Sequence, residues 1–290
     1  MYNNGRELLE LANSRNLRLY DVILENEMKI SERSEQEIKD AMRKRYNVMK
    51  ESSQKALSEP QETVGGMISG DSKKINDFTE EGRTLSGEFM CRMMARALSS
   101  CEVNASMGRV CAAPTAGSCG IVPAVIISVC EKLGLDEESA VRGLITCSGI
   151  GAIIVKNATV AGAEGGCQAE CGVAAAMSAA AVVELAGGTP EMSLNAAAMA
   201  LKNILGLICD PVAGLVEVPC AKRNASQAVN AVTSADLALA GIRSNVPFDE
   251  VVEAMYKVGK MLPYQLRETA MGGLAATETA RKIADGIFRR

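Results

Sequence analysis

Val173-Ala-Ala-Ala-Met-Ser-Ala-Ala-Ala-Val-Val-Glu-Leu-Ala186 is the stretch on which the fold turns. Alanine is the strongest helix former, and a run this apolar has no polar face to offer water, so it reads as a helix buried among helices. It falls short of the roughly 20 residues of a bilayer crossing. The acids Glu170 and Glu184 also flank it, which argues against a membrane span. Composition agrees with an all-α chain: aromatic residues make up 3 %, tryptophan and histidine are absent, and β-branched runs are short.

Outward from this helix the chain keeps a helical pattern. Residues 6 to 56 carry apolar residues at helical spacing among many charges, which predicts one short and one long amphipathic helix, an N-terminal unit over 1–57. Pro60, Gly65, Gly66 and Gly70 break the pattern into a loop-rich connection over 58–84, the one plausible linker, with room for one short helix. A helical catalytic domain is expected over 85–290, forming one compact unit with the N-terminal helices. Its helices are predicted over 85–107, 121–133, 136–158, 170–186, 190–205, 222–243, 248–260 and 273–287. Asp136 is a good N-cap, and Thr189-Pro190 a good helix start. Gly206 to Cys220 reads as an irregular loop.

Charge narrows the function. A net charge of -4 with dispersed Lys and Arg gives no footprint for nucleic acid. The opening Met-Tyr-Asn-Asn-Gly-Arg-Glu lacks the regions of a secretory signal, so a cytoplasmic chain is expected, with its ten cysteines reduced. Those cysteines are then core residues, metal ligands or reactive thiols. Cys91, Cys101, Cys130 and Cys147 fall within helical patterns and read as small core residues. Cys167, Cys209 and Cys220 stand in loops or at helix starts beside glycine or proline, where backbone amides favour a thiolate. Cys167 and Cys171 are four apart and could share a helix face, so spacing alone nominates both. A zinc site of three cysteines and a histidine is excluded within a chain that has no histidine.

Three runs then point to a family: Ala112-Ala-Pro-Thr-Ala-Gly-Ser-Cys-Gly-Ile-Val-Pro-Ala124, Gly162-Ala-Glu-Gly-Gly-Cys-Gln-Ala-Glu170, and Cys209-Asp-Pro-Val-Ala-Gly-Leu-Val-Glu-Val-Pro-Cys220. With Arg223-Asn-Ala225 and Arg267-Glu-Thr-Ala-Met-Gly-Gly-Leu274, they resemble the alpha chain of iron-sulfur L-serine dehydratases from about Leu85 to the end. The resemblance implies a 4Fe-4S cluster on Cys167, Cys209 and Cys220, with Cys171 and Cys119 as neighbours. Its fourth iron would be free to act on L-serine as a Lewis acid. It also implies pyruvate and ammonia as products, no pyridoxal phosphate, and a separate beta chain in a heterodimer or higher assembly.

Elimination needs a base for the Cα proton. Without histidine, the candidates in this chain are Lys156, Glu164, Glu170 and Lys222. Thr115, Gly117, Ser118 and Gly120 resemble an anion cradle, small residues placing free amides before a helix, and double equally well as a turn and cap. Asn157, Arg223 and Asn224, with Lys156, are further candidates for the substrate carboxylate. Two other readings compete: a related iron-sulfur L-cysteine desulfidase, and a helical scaffold subunit whose cysteines are all core. A pyridoxal phosphate enzyme would use a lysine such as Lys73 in Ser72-Lys73, but no strand and no glycine-rich phosphate loop accompany it.

Overall fold

The structure, a computed structural model, describes residues 1–289. The described residues form thirteen α-helices: α1 Gly5–Arg15, α2 Leu19–Ser31, α3 Glu35–Ser58, α4 Asp71–Glu80, α5 Glu88–Ala105, α6 Ile121–Leu133, α7 Glu137–Asn157, α8 Gly162–Gly165, α9 Val173–Leu185, α10 Pro190–Lys202, α11 Cys220–Leu239, α12 Phe248–Met261 and α13 Glu278–Phe288. Among the described residues the single β feature is an isolated bridge between Cys209 and Arg267. The all-α expectation holds.

The alanine-rich segment lies at the centre. Every residue of α9 from Val173 to Glu184 is buried, against α6, α7, α10 and α11. Small side chains let these backbones approach closely, and α9 needs no polar face because no side of it meets water. Glu184 would be a costly guest there. It accepts the Tyr20 amide at 3.0 Å and the Thr146 hydroxyl, which ties α9 to α2 and α7.

Caps end the helices where the sequence signals them. Asp136 accepts the Ser139 amide at 2.9 Å to start α7, and Thr189 accepts the Met192 amide at 3.2 Å ahead of Pro190. The N-terminal region differs from expectation, with three helices in place of two. Asn16 and Glu32 end α1 and α2 in the left-handed conformation without the glycine or proline that would have signalled a break, and Ser34 caps α3 in a capping box with Glu37. Two other boundaries move. Helix α11 starts at Cys220 itself and stops at Leu239, and the segment over 273–287 is a 3₁₀ turn, Gly273–Ala276, followed by α13.

The connection over 58–84 is held by two buried carboxylates. Glu102 accepts the amides of Gly70 at 3.1 Å and Ser72 at 2.7 Å. Glu217 accepts the Thr63 hydroxyl at 2.7 Å and the amides of Gly65 and Met67 at 2.5 and 2.9 Å. Each anion is stabilised by the donors it gathers, so the loop is pinned to the helices behind it. Lys73, the lysine a pyridoxal phosphate reading would use, pairs with Asp77 at the surface.

The length argument against a membrane span is corrected by the helix's true start. One π-helical turn, Gln168–Gly172, runs straight into α9, so the continuous apolar stretch is Gln168–Leu185, 18 residues and apolar enough to cross a bilayer. Two more stretches, Ala116–Leu133 and Glu137–Asn157, also qualify by length and composition. All three are mostly covered by the protein itself, which satisfies their apolar surface without lipid.

Candidate active site

Four pieces of backbone meet beneath the N-terminal end of α9: the loop Ala113–Gly120, the turn Gly162–Cys167 with its π-helical continuation, the loop Gly206–Pro219, and the first turn of α11. A π turn carries one extra residue and is frequent at functional sites. Here it sets Cys167, Glu170 and Cys171 at the mouth of the most buried helix. Gly166, at φ +76° with its Cα side close against the Leu207 carbonyl, makes the sharp entry that a side chain would obstruct.

Cys167, Cys209 and Cys220 are all buried and all free. Burial first, then the Glu170 carboxylate and the neighbouring thiolates, push the Cys209 thiol well up, and burial followed by the Cys167 thiolate raises Cys220 to about 12. Cys167 behaves oppositely. Its sulfur lies 3.4 Å from that of Cys171. A hydrogen bond shared with Cys171 lowers its pKa against the cost of burial, and the Arg223 guanidinium adds to the effect. Cys171 holds the proton and is pushed well up. Three soft sulfurs beside one fixed cation suit an iron-sulfur centre. Among the described residues no three cysteine or acidic side chains crowd one point tightly enough for a single ion. A cluster, whose ligands spread around several metals, makes no such demand.

Arg223 and Asn224 serve the site's frame. Arg223 pairs with the buried Asp210 at 2.9 Å and donates to the Ile208 carbonyl at 2.9 Å. Asp210 in turn accepts the Leu274 amide at 2.7 Å, which anchors the 267–274 segment beside the cysteines. Cys209 and that segment also exchange backbone hydrogen bonds, from Cys209 to the Leu266 carbonyl and from Glu268 to the Cys209 carbonyl. Asn224 is fully buried; it accepts the Gly120 amide at 3.0 Å and donates to the carbonyls of Gly117 and Cys220 at 2.8 and 2.9 Å. Both of its N–H groups are used and the whole side chain is buried, so it positions rather than binds.

The cradle is more closed than its sequence suggests. The amides of Ser118, Cys119 and Gly120 go to the Thr115 carbonyl, the Ala116 carbonyl and Asn224. Gly120 is wedged so tightly that a Cβ would stand 2.4 Å from the Ala97 carbonyl. Ser118 is buried and bonded back to Ala113 and Thr115. The Thr115 hydroxyl is donated to Glu170 at 2.7 Å, and the amides of Ala116 and Gly117 go to no protein acceptor among the described residues.

Of the four base candidates the structure brings only Glu170 among the cysteines, with Oε2 3.9 Å from the Cys209 sulfur. Burial raises its pKa, and the Thr115 hydrogen bond opposes the rise. Lys156 is turned to the Asn3 side chain, and Asn157 binds the Asn3 and Ile153 carbonyls at 2.8 Å each. Asn157 lines a separate cleft of about 950 Å³ among α1, α10 and the 243–253 segment. Lys222 is half exposed and paired with Asp71 at 2.5 Å, and Glu164 faces solvent. The sequence nominated these three because their types suit proton transfer, and contact with the cysteines depends on how remote segments fold. Among residues missed, Asp210 and Glu217 lie inside the cysteine-to-cysteine loop, a signal that could have marked them as its anchors.

The profile of the serine dehydratase alpha chain family matches residues 14–275. The chain belongs to the serine dehydratase alpha chain family. It is 50 % identical over 283 residues to the "L-serine dehydratase, alpha chain" of Peptoniphilus asaccharolyticus, covering 98 % of this chain and 97 % of that one. It is 47 % identical over 288 residues to the "Probable L-serine dehydratase, alpha chain" of Bacillus subtilis (strain 168), covering 99 % and 96 %. The "L-serine dehydratase" of Streptomyces coelicolor is 38 % identical over 282 residues, which is 94 % of this chain and 60 % of its own longer one. The three cysteines, the Thr115–Gly120 loop and the 267–274 segment are thus features of an alpha chain of this family.

Proposed function

We propose that this chain is the catalytic subunit of an iron-sulfur L-serine dehydratase, converting L-serine to pyruvate and ammonia with no pyridoxal phosphate, in the cytoplasm, together with a separate beta chain. The observation that carries the reading is the meeting of Cys167, Cys209 and Cys220 in one buried site of a chain from this family. The alpha-chain names of the Peptoniphilus and Bacillus relatives support a separate beta chain.

Cys167, Cys209 and Cys220 would hold a 4Fe-4S cluster, which supplies a Lewis acid for the substrate's oxygen atoms. Arg223 offsets the negative charge that gathers when these thiols lose their protons, and Asp210 fixes its guanidinium. Asn224 locks the Thr115 loop against the Cys220 helix, so both walls keep their spacing. Loss of the Cα proton and the β-hydroxyl, together one water, leaves aminoacrylate. Its imine tautomer takes up water and releases ammonia, so atoms balance. Burial keeps bulk water from the thiols before that last step.

Anaerobic purification tests the reading. Brown protein with iron and sulfide, releasing ammonia and pyruvate from L-serine, is the expected outcome. Sulfide released from L-cysteine in place of that activity would favour a desulfidase, and colourless protein with no activity a scaffold subunit.

A further inference from the structure

Glu170 differs from every other enclosed carboxylate of the chain. Glu102, Glu184, Asp210 and Glu217 each take at least one backbone amide. Glu170 takes none, and no lysine or arginine nitrogen lies within 4.0 Å of it among the described residues, although Arg223 stands nearby on the Cys167 side. Oε1 accepts the Thr115 hydroxyl. The one donor facing Oε2 is the Cys209 thiol, at 3.9 Å, and a cysteine that ligates metal has no proton to give. Oε2 is therefore an acceptor without a donor once Cys209 is a ligand.

Space has also been cleared for this carboxyl. A Cβ on Gly117 would stand 2.9 Å from Oε1, and one on Gly162 would stand 2.6 Å from Oε2 and 3.2 Å from the Cys209 sulfur. Glycines on two different loops thus leave the group lodged between them with one oxygen toward the cysteines. Such a group is suited to a charge that arrives with the ligand, because a resident cation would already have neutralised it.

We infer that Glu170 is the residue that reads the substrate's ammonium, accepting its hydrogen bond on Oε2 while Thr115 holds Oε1. The inference rests on the proposed serine chemistry, in which the metal engages oxygen atoms and leaves the ammonium for the protein. It makes Glu170 a specificity determinant that separates α-amino acids from α-hydroxy acids, and it assigns the base to another group.

The test uses the full chain, purified anaerobically with its iron, and a matched pair of ligands that cannot lose water, L-alanine and L-lactate. Equilibrium binding is measured by calorimetry. Wild-type protein should prefer L-alanine, and Glu170→Gln should weaken L-alanine by about 10-fold to 100-fold, the range for a hydrogen bond to a charged group, with L-lactate changed less than about threefold. Thr115→Val, which frees Oε1 without removing the charge, should weaken L-alanine by a smaller factor. The inference fails if wild-type protein shows no preference for L-alanine. It fails equally if Glu170→Gln keeps the preference while abolishing turnover, which is the signature of a base. Serine turnover by wild-type protein is measured alongside. Turnover without an alanine preference sinks this inference alone, and no turnover even with the cognate beta chain added sinks the function proposed above.

Discussion

Replacing Asn224 by alanine tests whether one side chain sets the spacing of the site. The substitution removes three hydrogen bonds at a fully buried position and strands the Gly120 amide and the carbonyls of Gly117 and Cys220. A stranded buried group costs about 1–3 kcal/mol, which caps the loss at about 9 kcal/mol. The Cys220 carbonyl belongs to a helix and keeps other partners, and a water can enter the vacated volume, so about 3–5 kcal/mol is expected. At about 2 °C per kcal/mol for a chain this long, the thermal midpoint should fall by roughly 6–10 °C. Differential scanning calorimetry on anaerobic protein reads this directly, and iron analysis of the same samples asks whether the displaced loops still retain metal. Asn224→Asp should also lose stability, because it keeps the acceptor for Gly120 but turns a carboxylate toward two carbonyls. A midpoint drop under about 2 °C for Asn224→Ala would refute the reasoning.

Four further outcomes are expected. Alanine at Cys167, Cys209 or Cys220 should abolish iron retention and alanine at Cys171 should not; iron analysis showing Cys171→Ala empty and Cys167→Ala loaded would overturn the ligand assignment. Aeration should remove colour and activity, and ferrous iron with a thiol should restore both, because a cluster on three thiolates has one iron without a protein sulfur; full activity after prolonged aeration would contradict this. Burial raises the Glu184 carboxyl above its ordinary value, so its contribution to stability is complete below the unfolded value of about 4.3 and is lost as pH rises through the raised one. Glu184→Gln should accordingly gain thermal midpoint relative to wild type as pH rises above that unfolded value, and a difference that does not change with pH would exclude the effect. Adding the cognate beta chain should raise serine turnover about 10²-fold to 10⁴-fold if that chain brings the base, whereas full turnover by the isolated chain would place the base here.

Local rules made the central helices legible. The alanine run, Asp136 before Glu137-Glu138, and Thr189 before Pro190 each carry their own boundary signal, and α9, α7 and α10 follow them closely. The break at Glu32 gave no such signal, because a left-handed glutamate is set by the packing around it, and Asn16, which tolerates that conformation, has no glycine or proline beside it to mark the end. The π turn was equally hidden, since an extra residue in one turn leaves the apolar pattern almost unchanged. The site shows the same division. Glycine and proline beside Cys167, Cys209 and Cys220 marked loops, and those loops meet. That Thr115 faces Glu170 across 55 positions, or that Lys156 turns to Asn3 across 153, depends on long-range packing with no local trace.

Rigidity explains why an active site of this kind sits at helix ends in an alanine-rich fold. Cys220 opens α11 and Cys167 caps the π turn that leads into α9, so two of the three thiols stand at the entries of helices that are packed against each other. Their separation is then set by backbone-to-backbone contact across small residues, which few side-chain rotations can alter. Cys209 lacks a helix, and the chain supplies stiffness by other means: a backbone bridge to Arg267, and an Asp210 carboxylate held by both Arg223 and the Leu274 amide. The Arg223 cation, tied to this loop by Asp210, serves the thiolates, and Glu170 beside them has the Thr115 hydroxyl but no cation within 4.0 Å among the described residues. The framework is thus complete before substrate arrives, except for a single positive charge, and an α-amino acid carries one.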